Sequence, residues 1–190
     1  MVRWAITLAV IAAVVVTVIV IQNQGKIDEE RLNSAAERLS CTEVEEQDAE
    51  QPNEHTEPFA TGEGGVPAFG GNHAPGPLPS EPKVYEQQPP EEAAVHSLEH
   101  GYVMIYYSTE DENALDPEVV SALEDLANSE TEVLMSPYAG LDRPVYFVAW
   151  GARQSCDPPE GASAGDLTLV ARGFIQEWKN AEFAPEPAVP

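Results

Sequence analysis

The sequence is short of basic residues, and this shortage excludes a class of partners. Nine Lys and Arg residues stand against 33 Asp and Glu residues, which gives a formal net charge of −24 over 190 residues. Nucleic acids and anionic lipid surfaces require clustered basic side chains, so neither is expected as the main partner. A cationic partner or a divalent metal ion fits this charge better. A salt-adapted or generally acidic secreted protein has the same composition, because carboxylates keep a surface hydrated.

The sequence also lacks the complete motifs of several enzyme classes. It has two cysteines and no C-x-x-C pair, which disfavours a thioredoxin-like role. It has no G-x-S-x-G nucleophile elbow. Ser97 follows His96 directly, but neighbouring residues on a strand point to opposite faces, which does not suit a nucleophile and its base. We therefore expect a non-enzymatic protein rather than an enzyme.

One long apolar run is present near the start of the chain. Residues 4–21, WAITLAVIAAVVVTVIVI, carry no charge and are long enough to cross a bilayer as a helix. The residues that follow offer no small-x-small cleavage pattern and no nearby cysteine for lipidation, so an uncleaved anchor over residues 1–25 is predicted. Arg3 precedes the run and carboxylates at 28–30 follow it. This asymmetry predicts a single-pass protein of the cell membrane, with a cytoplasmic N-terminus and an extracytoplasmic C-terminal domain.

The two cysteines are Cys41 and Cys156, each in a polar, turn-rich stretch. An even number of cysteines in an oxidising compartment predicts a disulfide between them. The alternative is a pair of free surface thiols. A disulfide over so long a loop would restrict the unfolded chain and tie the N-terminal segment to the domain.

The rest of the chain divides by composition. Residues 26–64 combine a helix-forming stretch (26–40) with an acidic linker, and residues 65–187 are predicted to form the extracytoplasmic domain. That domain begins with an irregular arm rich in Pro and Gly, residues 65–92. Its regular elements follow in the order β-α-β-β-α, which predicts an α+β fold, a small sandwich with helices against one mixed sheet. The predicted strands are 101–108, 131–137 and 144–151, and the predicted helices are 116–130 and 165–183.

Two of the four histidines fall together in VHSLEHG, residues 95–101. His96 and His100 are four residues apart, so they share a face whether the backbone is a helix or a strand. His73 lies in FGGNHAPG, where glycines permit a close approach to the domain. His55 lies in the acidic linker and is less constrained.

Neutral imidazole is a common metal ligand, and these histidines have further donors nearby in the predicted elements. Met104 is four residues past His100, and Met135 lies in a neighbouring predicted strand. Three imidazoles with a thioether resemble a copper site, whereas three imidazoles with water or Glu99 suit zinc. The alternative is that His96 and His100 are hydrogen-bonded turn residues with Glu99 as partner, and that both methionines are core residues. The string H-x-x-E-H also matches that of an inverted zincin, but it requires a helix where we expect a strand to begin.

Four segments in order resemble a bacterial family, domain of unknown function 3105, which is common in actinobacteria: FGGNHAPG, VHSLEHGYVMIYY, MSPYAGLDRPVYFVAWG and FIQEWKNAEFAPEP. The resemblance covers residues 41–187 and implies a membrane-anchored extracytoplasmic protein rather than a known reaction. This chain has VPAFGGNH where the family has PPTSGPH, which changes the loop but keeps its histidine. The matching positions are Gly71, His73, His96, Glu99, His100 and Gly101, together with Cys41 and Cys156.

Three functions follow as hypotheses. The first is a domain that binds a transition metal, copper slightly ahead of zinc, through His73, His96, His100, Glu99, Met104 and Met135. The second is an accessory or interaction subunit of a membrane complex, in which the histidines are structural. The third is a metal-assisted hydrolase with Glu99 as the base.

Overall fold

The computed structural model describes residues 28–47, 52–110, 113–180 and 184–186. The predicted anchor, residues 1–25, lies outside these residues. None of the helices in the described ranges has the length and apolar character needed to cross a membrane. The chain divides into two compact units, Met1–Arg31 and Leu32–Pro190, and the second contains the sheet and the candidate site.

The described residues form four helices and five strands. The helices are α1 (Glu29–Arg38), α2 (Glu91–Glu99), α3 (Pro117–Ser129) and α4 (Ala164–Trp178). The strands are β1 (Glu45–Glu46), β2 (Val103–Tyr107), β3 (Val133–Pro137), β4 (Val145–Ala149) and β5 (Ala152–Cys156). The predicted mixed α+β architecture is confirmed, and β1, β5 and α2 add to the predicted elements.

One sheet holds all five strands, in the order β1-β5-β4-β2-β3. β2 and β3 are parallel and are joined through α3, whereas β4 pairs antiparallel with both β2 and β5. This combination of parallel and antiparallel pairs confirms the predicted mixed sheet. Helix α3 begins where its sequence predicts, because the Asp116 side chain accepts a hydrogen bond from the backbone N–H of Glu118 and Pro117 is the first helical residue.

The two faces of the sheet carry different layers. Alternate residues of β2 point to opposite sides, so Val103 and Ile105 join one apolar cluster and Met104 and Tyr106 join the other. Residues of α1, α3 and α4 belong to the first cluster. Residues of α2 and of the Pro/Gly-rich arm belong to the second. The candidate site lies with α2 and the arm.

The segment predicted as a juxtamembrane helix and linker takes part in the fold. Ala35 and Leu39 are buried in the cluster formed with α3 and α4. β1 pairs with β5, and the predicted disulfide joins Cys41 to Cys156 at the end of β5. The disulfide prediction is thus confirmed, and the bridge connects the chain after α1 to the sheet.

Candidate metal centre

Helix α2 supplies the central residues of the site. His96 and Glu99 lie on this helix, and His100 is its C-cap residue. Positions i, i+3 and i+4 share one face of a helix, so the three side chains point the same way. Leu98 lies on the other side and packs in the apolar cluster against the sheet. The helix therefore presents apolar groups to the sheet and polar groups to the arm.

The Pro/Gly-rich arm folds over this polar face and delivers His73. Gly71 has a φ of 101°, a left-handed conformation that favours glycine and turns the chain just before the histidine. The backbone N–H of Ala74 donates to the carbonyl of Glu92, 3.1 Å away, which fixes the arm to α2. His73 is 0% exposed as a result.

The acidic segment before the arm delivers His55. Its backbone runs beside the arm, where the N–H of His73 donates to the carbonyl of Glu54 at 3.1 Å. The His55 ring stacks on the His96 ring, with centroids 4.7 Å apart and planes 9° apart. The side chain of His55 is 42% exposed, so it forms the outer wall of the site.

Three of the imidazoles are held in one tautomer by backbone carbonyls. A carbonyl oxygen can only accept, so Nδ1 of His73, His96 and His100 carries the hydrogen and donates it. The acceptors are the carbonyl oxygens of Gly71, Ala74 and Glu186, at 2.8, 2.6 and 3.0 Å respectively. In a neutral ring, Nε2 then offers a lone pair. Metal-binding histidines are typically oriented by this kind of hydrogen bond from their second nitrogen.

The Nε2 atoms converge on one another and on one carboxylate. Nε2 of His96 and Nε2 of His100 are 3.0 Å apart. Oε2 of Glu99 lies 2.8 Å from Nε2 of His73 and 3.3 Å from Nε2 of His55. Neutral imidazoles with hydrogens on Nδ1 would direct lone pairs at each other across the His96–His100 contact. A proton or a metal ion at these atoms removes the repulsion.

The environment of His96 favours the neutral ring. Burial is the largest cause and lowers the pKa of His96 below its usual value of 6.5, although the hydrogen bond to Ala74 raises it. The nearby imidazoles of His73, His100 and His55 lower the pKa further, because a second positive charge beside them is unfavourable. A neutral imidazole is the form that binds metal.

Two overlapping groups of donors meet the distance requirement for a metal ion. In the first group, the ligand atoms of His55, His73, His96 and Glu99 all lie within 4.8 Å of one another. In the second, the same is true of Glu99, His100 and Glu186. Glu99 is 2% exposed and belongs to both. The first group is the more enclosed, because three of its four members are buried.

The structure brings together four of the six residues predicted as metal ligands. His73, His96, Glu99 and His100 lie in one cluster of contacts. His55 joins them, although its position in an acidic segment without apolar periodicity gave no signal of a fixed place.

The two predicted methionine ligands have other surroundings. Met135 belongs to the cluster on the sheet face that packs against α3 and α4, so the sheet separates it from the imidazoles. Met104 lies on the same sheet face as α2, within the apolar layer that includes Leu98 and Trp150. The structure therefore does not bring Met135 to the histidines and places Met104 in the core beneath them.

The expectation that the H-x-x-E-H string leads straight into a strand is wrong. Residues 91–99 are helical, and the strand begins at Val103 after a turn at Gly101, which has a φ of 82°. The turn separates the helix, which ends at Glu99, from the strand. The string therefore has the helical context that a zincin-like arrangement requires.

Comparison with known proteins identifies a family and no function. No curated protein matches the chain, and no solved structure does. One family, described as "Protein of unknown function (DUF3105)", matches residues 64–190, which is more than half of the chain. The match includes His73, His96, Glu99, His100 and Glu186, and it begins after His55. On this match the chain belongs to the DUF3105 family.

Proposed function

We propose that this domain binds a divalent transition metal ion through His55, His73, His96 and Glu99. The observation that carries the proposal is the convergence of four donors from three separate segments, with every ligand atom within 4.8 Å of the others. Imidazole and carboxylate are the donor types of many zinc sites. All four histidines of the chain lie in or beside this cluster, although the sequence separates them by up to 45 positions (100 − 55).

A purely structural role accounts for the cluster less well. A single hydrogen bond between His73 and Glu99 would be enough to satisfy both buried groups. Two more imidazoles beside that pair add burial cost and mutual repulsion whenever they are protonated. A metal ion at the centre of the cluster would make the close approach of these side chains favourable, because each Nε2 lone pair would then coordinate the ion.

The donor set favours zinc over copper(I). Soft thioether ligands select copper(I), and the sequence-based preference for copper depended on the two methionines. Met135 lies on the opposite face of the sheet and Met104 in the apolar layer. Three imidazoles and one carboxylate remain, which is a borderline-to-hard set suited to zinc or copper(II). Zinc is the leading candidate.

The four donors have the number and the chemical type found in closed zinc sites. With zinc–ligand bonds of about 2.0–2.2 Å, two ligands at the tetrahedral angle stand about 3.3–3.5 Å apart. The separations of Glu99 Oε2 from His73 Nε2 and His55 Nε2 are 2.8 and 3.3 Å, so small outward shifts would admit the ion. Four protein ligands leave no open position for substrate. Metal binding or handling therefore fits better than catalysis.

Metal analysis of the purified full-length chain tests the proposal. We expect about one tightly held zinc per chain after dialysis against weak chelator, and loss of that zinc in a His73→Asn, His96→Asn double variant. Asparagine keeps an amide donor for the carbonyls of Gly71 and Ala74. All four histidines lie in the cluster, so Glu92→Gln on the same helix serves as the matched control.

A chain that holds neither zinc nor copper, and whose thermal unfolding does not respond to added metal, would contradict the proposal. The histidines would then be structural. An accessory subunit would be the better account if the chain also copurified with a membrane complex in the presence of chelator.

A second candidate, metal-assisted hydrolysis, is favoured by the helical context of His96, Glu99 and His100. In that arrangement the histidines bind the ion and Glu99 acts as the base. The contacts of Glu99 with His73 and His55 favour a ligand role instead. Glu99→Gln separates the two: a hydrolase variant would keep the metal and lose activity, whereas loss of the metal itself indicates a ligand.

We also propose that the apolar run at residues 4–21 anchors the protein in the cell membrane with the domain outside. The Cys41–Cys156 disulfide supports an oxidising compartment. Protease added to intact cells should then digest the domain. Digestion that occurs only after lysis would contradict the proposed orientation.

A further inference from the structure

The end of the described chain returns to the candidate metal centre. The backbone N–H of Glu186 donates to the carbonyl of Glu99, 3.1 Å away, and Nδ1 of His100 donates to the carbonyl of Glu186 at 3.0 Å. Ala184, two residues earlier, is buried in the apolar cluster beneath α2. These contacts hold the backbone of Glu186 against the C-terminal end of the helix. The Glu186 carboxylate is therefore held close to His100.

An ion bound by His55, His73, His96 and Glu99 would leave the Nε2 atom of His100 without a metal contact. His100 is not a member of that group, and its Nδ1 hydrogen is given to Glu186. Its Nε2 lone pair therefore faces Nε2 of His96, 3.0 Å away, with no hydrogen of its own to offer. When His96 binds the first ion, the lone pair of His100 still needs a cation.

The carboxylates needed for a second ion are in place. The ligand atoms of Glu99, His100 and Glu186 lie within 4.8 Å of one another, and Glu99 has two oxygens to share between two ions. The inner group of four donors contains one carboxylate, that of Glu99, to balance the charge of one divalent ion. Glu186 supplies a further negative charge for a second ion. Glu186 is exposed and His100 is partly so, whereas three of the four members of the first group are buried.

We infer that Glu99, His100 and Glu186 form a second, outer metal site, and that Glu99 bridges it to the inner site of the proposed function. This inference rests on that function. Two carboxylates and one imidazole leave positions for water, and exposure makes exchange with solvent easy. The outer site is thus a weaker position for the same class of divalent ion. Because His100 lies beside His96, an ion held at the outer site can pass from there to the inner site.

Zinc stoichiometry at graded free zinc tests the inference on the purified full-length chain. We expect two zinc ions per chain, the second bound more weakly, and one zinc per chain in Glu186→Gln with the affinity of the tight site unchanged. The substitution keeps the backbone contacts of residue 186. Glu160→Gln, a substitution of an exposed glutamate in the loop before α4, is the matched control and should keep both ions.

The outcomes separate the two proposals. One zinc in both the wild type and Glu186→Gln would overturn the outer site and leave the inner site standing. Two zinc ions in both would also overturn it, because the second ion would then lie elsewhere. No zinc in the wild type would overturn both proposals. A loading role adds one expectation: slower uptake of the tight ion in Glu186→Gln, with equal uptake rates counting against that role.

Discussion

Nε2 of His73 lies 2.8 Å from Oε2 of Glu99, and the two side chains are 0% and 2% exposed. An ionised carboxylate only accepts, and Nδ1 of His73 already donates to Gly71. Without metal, a proton must therefore lie on Nε2 or on the carboxylate. If the proposed site takes up an ion, that ion would occupy the position of the shared hydrogen between the two side chains.

Glu99→Gln should weaken zinc binding severely, because the variant removes the carboxylate that faces both His73 and His55. Changes to residues that merely orient ligands cost about 10- to 100-fold in metal affinity, so loss of a ligand should cost at least that much. Competition with a chelator of known affinity measures the change. Glu92→Gln changes a glutamate on the same helix and should bind zinc as the wild type does. Equal affinity in the two variants would exclude Glu99 as a ligand.

The metal-free protein should lose stability as the pH falls below neutral, and His96 should account for part of the loss. Its folded-state pKa is lowered by burial, so the unfolded chain takes up the proton first. The contribution of His96 to the free energy of unfolding is complete above about pH 6.5, the pKa of histidine in the unfolded chain. It is lost as the pH falls from there through the lowered pKa of the folded state.

Urea unfolding with chelator, between neutral pH and about one unit below the usual histidine value of about 6.5, measures this dependence. His96→Asn keeps a donor for the Ala74 carbonyl and removes the titrating ring. It should show a shallower loss of unfolding free energy than the wild type. Parallel curves for the two proteins would mean that His96 does not contribute.

Much of the fold could be predicted because its elements carry strong local signals. Asp116 and Pro117 open α3, and apolar residues repeat at helical spacing, so the predicted 116–130 agrees with Pro117–Ser129. β5 was missed because ARQSC has no run of β-branched or aromatic residues. Its strand state comes from pairing with β4 on one side and β1 on the other.

The candidate site was predictable only where local spacing determines geometry. His96 and His100 share a face on a helix or a strand, so their convergence follows from the sequence, whereas Glu99 joins that face only because the segment is helical. His55 arrives through hydrogen bonds between two irregular segments, and no periodic pattern encodes these. Met135 lies on the sheet face that α3 and α4 cover, and the sequence does not reveal that α2 covers the other face.

Opening the disulfide should destabilise the domain without removing the metal donors. Cys41 and Cys156 are separated by 115 positions. The chain-entropy relation for a loop of this length gives about 4–5 kcal/mol, mainly through the unfolded state. Urea unfolding with and without reductant measures the difference. A Cys41→Ala, Cys156→Ala variant should start near the reduced value and should not respond to reductant. A wild type equally indifferent to reductant would contradict the role assigned to the bridge.

Met135→Leu should leave metal binding unchanged, since the sheet separates this side chain from the imidazoles. A swap of similar volume in a core usually costs less than about 1.5 kcal/mol, so the variant should fold. Met104→Leu makes the same change in the apolar layer on the site's own side of the sheet. We expect no change in zinc affinity from either variant. Weaker copper binding in Met104→Leu alone would restore a thioether ligand to the site.

His55→Gln should separate the metal site from the stability of the fold. His55 is 42% exposed, and glutamine keeps an amide that can donate to the Glu99 carboxylate, so the free energy of unfolding should change by no more than about 1 kcal/mol. The variant removes one imidazole from the group of four and leaves the three buried donors, His73, His96 and Glu99, in place. Zinc should therefore bind more weakly and exchange faster, while thermal unfolding of the metal-free protein stays near the wild type.

The same variant decides which donors make up the inner site. If His55→Gln binds zinc as tightly as the wild type, the fourth ligand comes from elsewhere, and the nearest imidazole is that of His100, whose Nε2 is 3.0 Å from that of His96. A His55→Gln, His100→Asn double variant then shows whether His100 supplies that fourth ligand. Loss of tight binding only in the double variant would mean that His100 replaces His55, because either ring can complete the set that the buried pair of His73 and Glu99 begins.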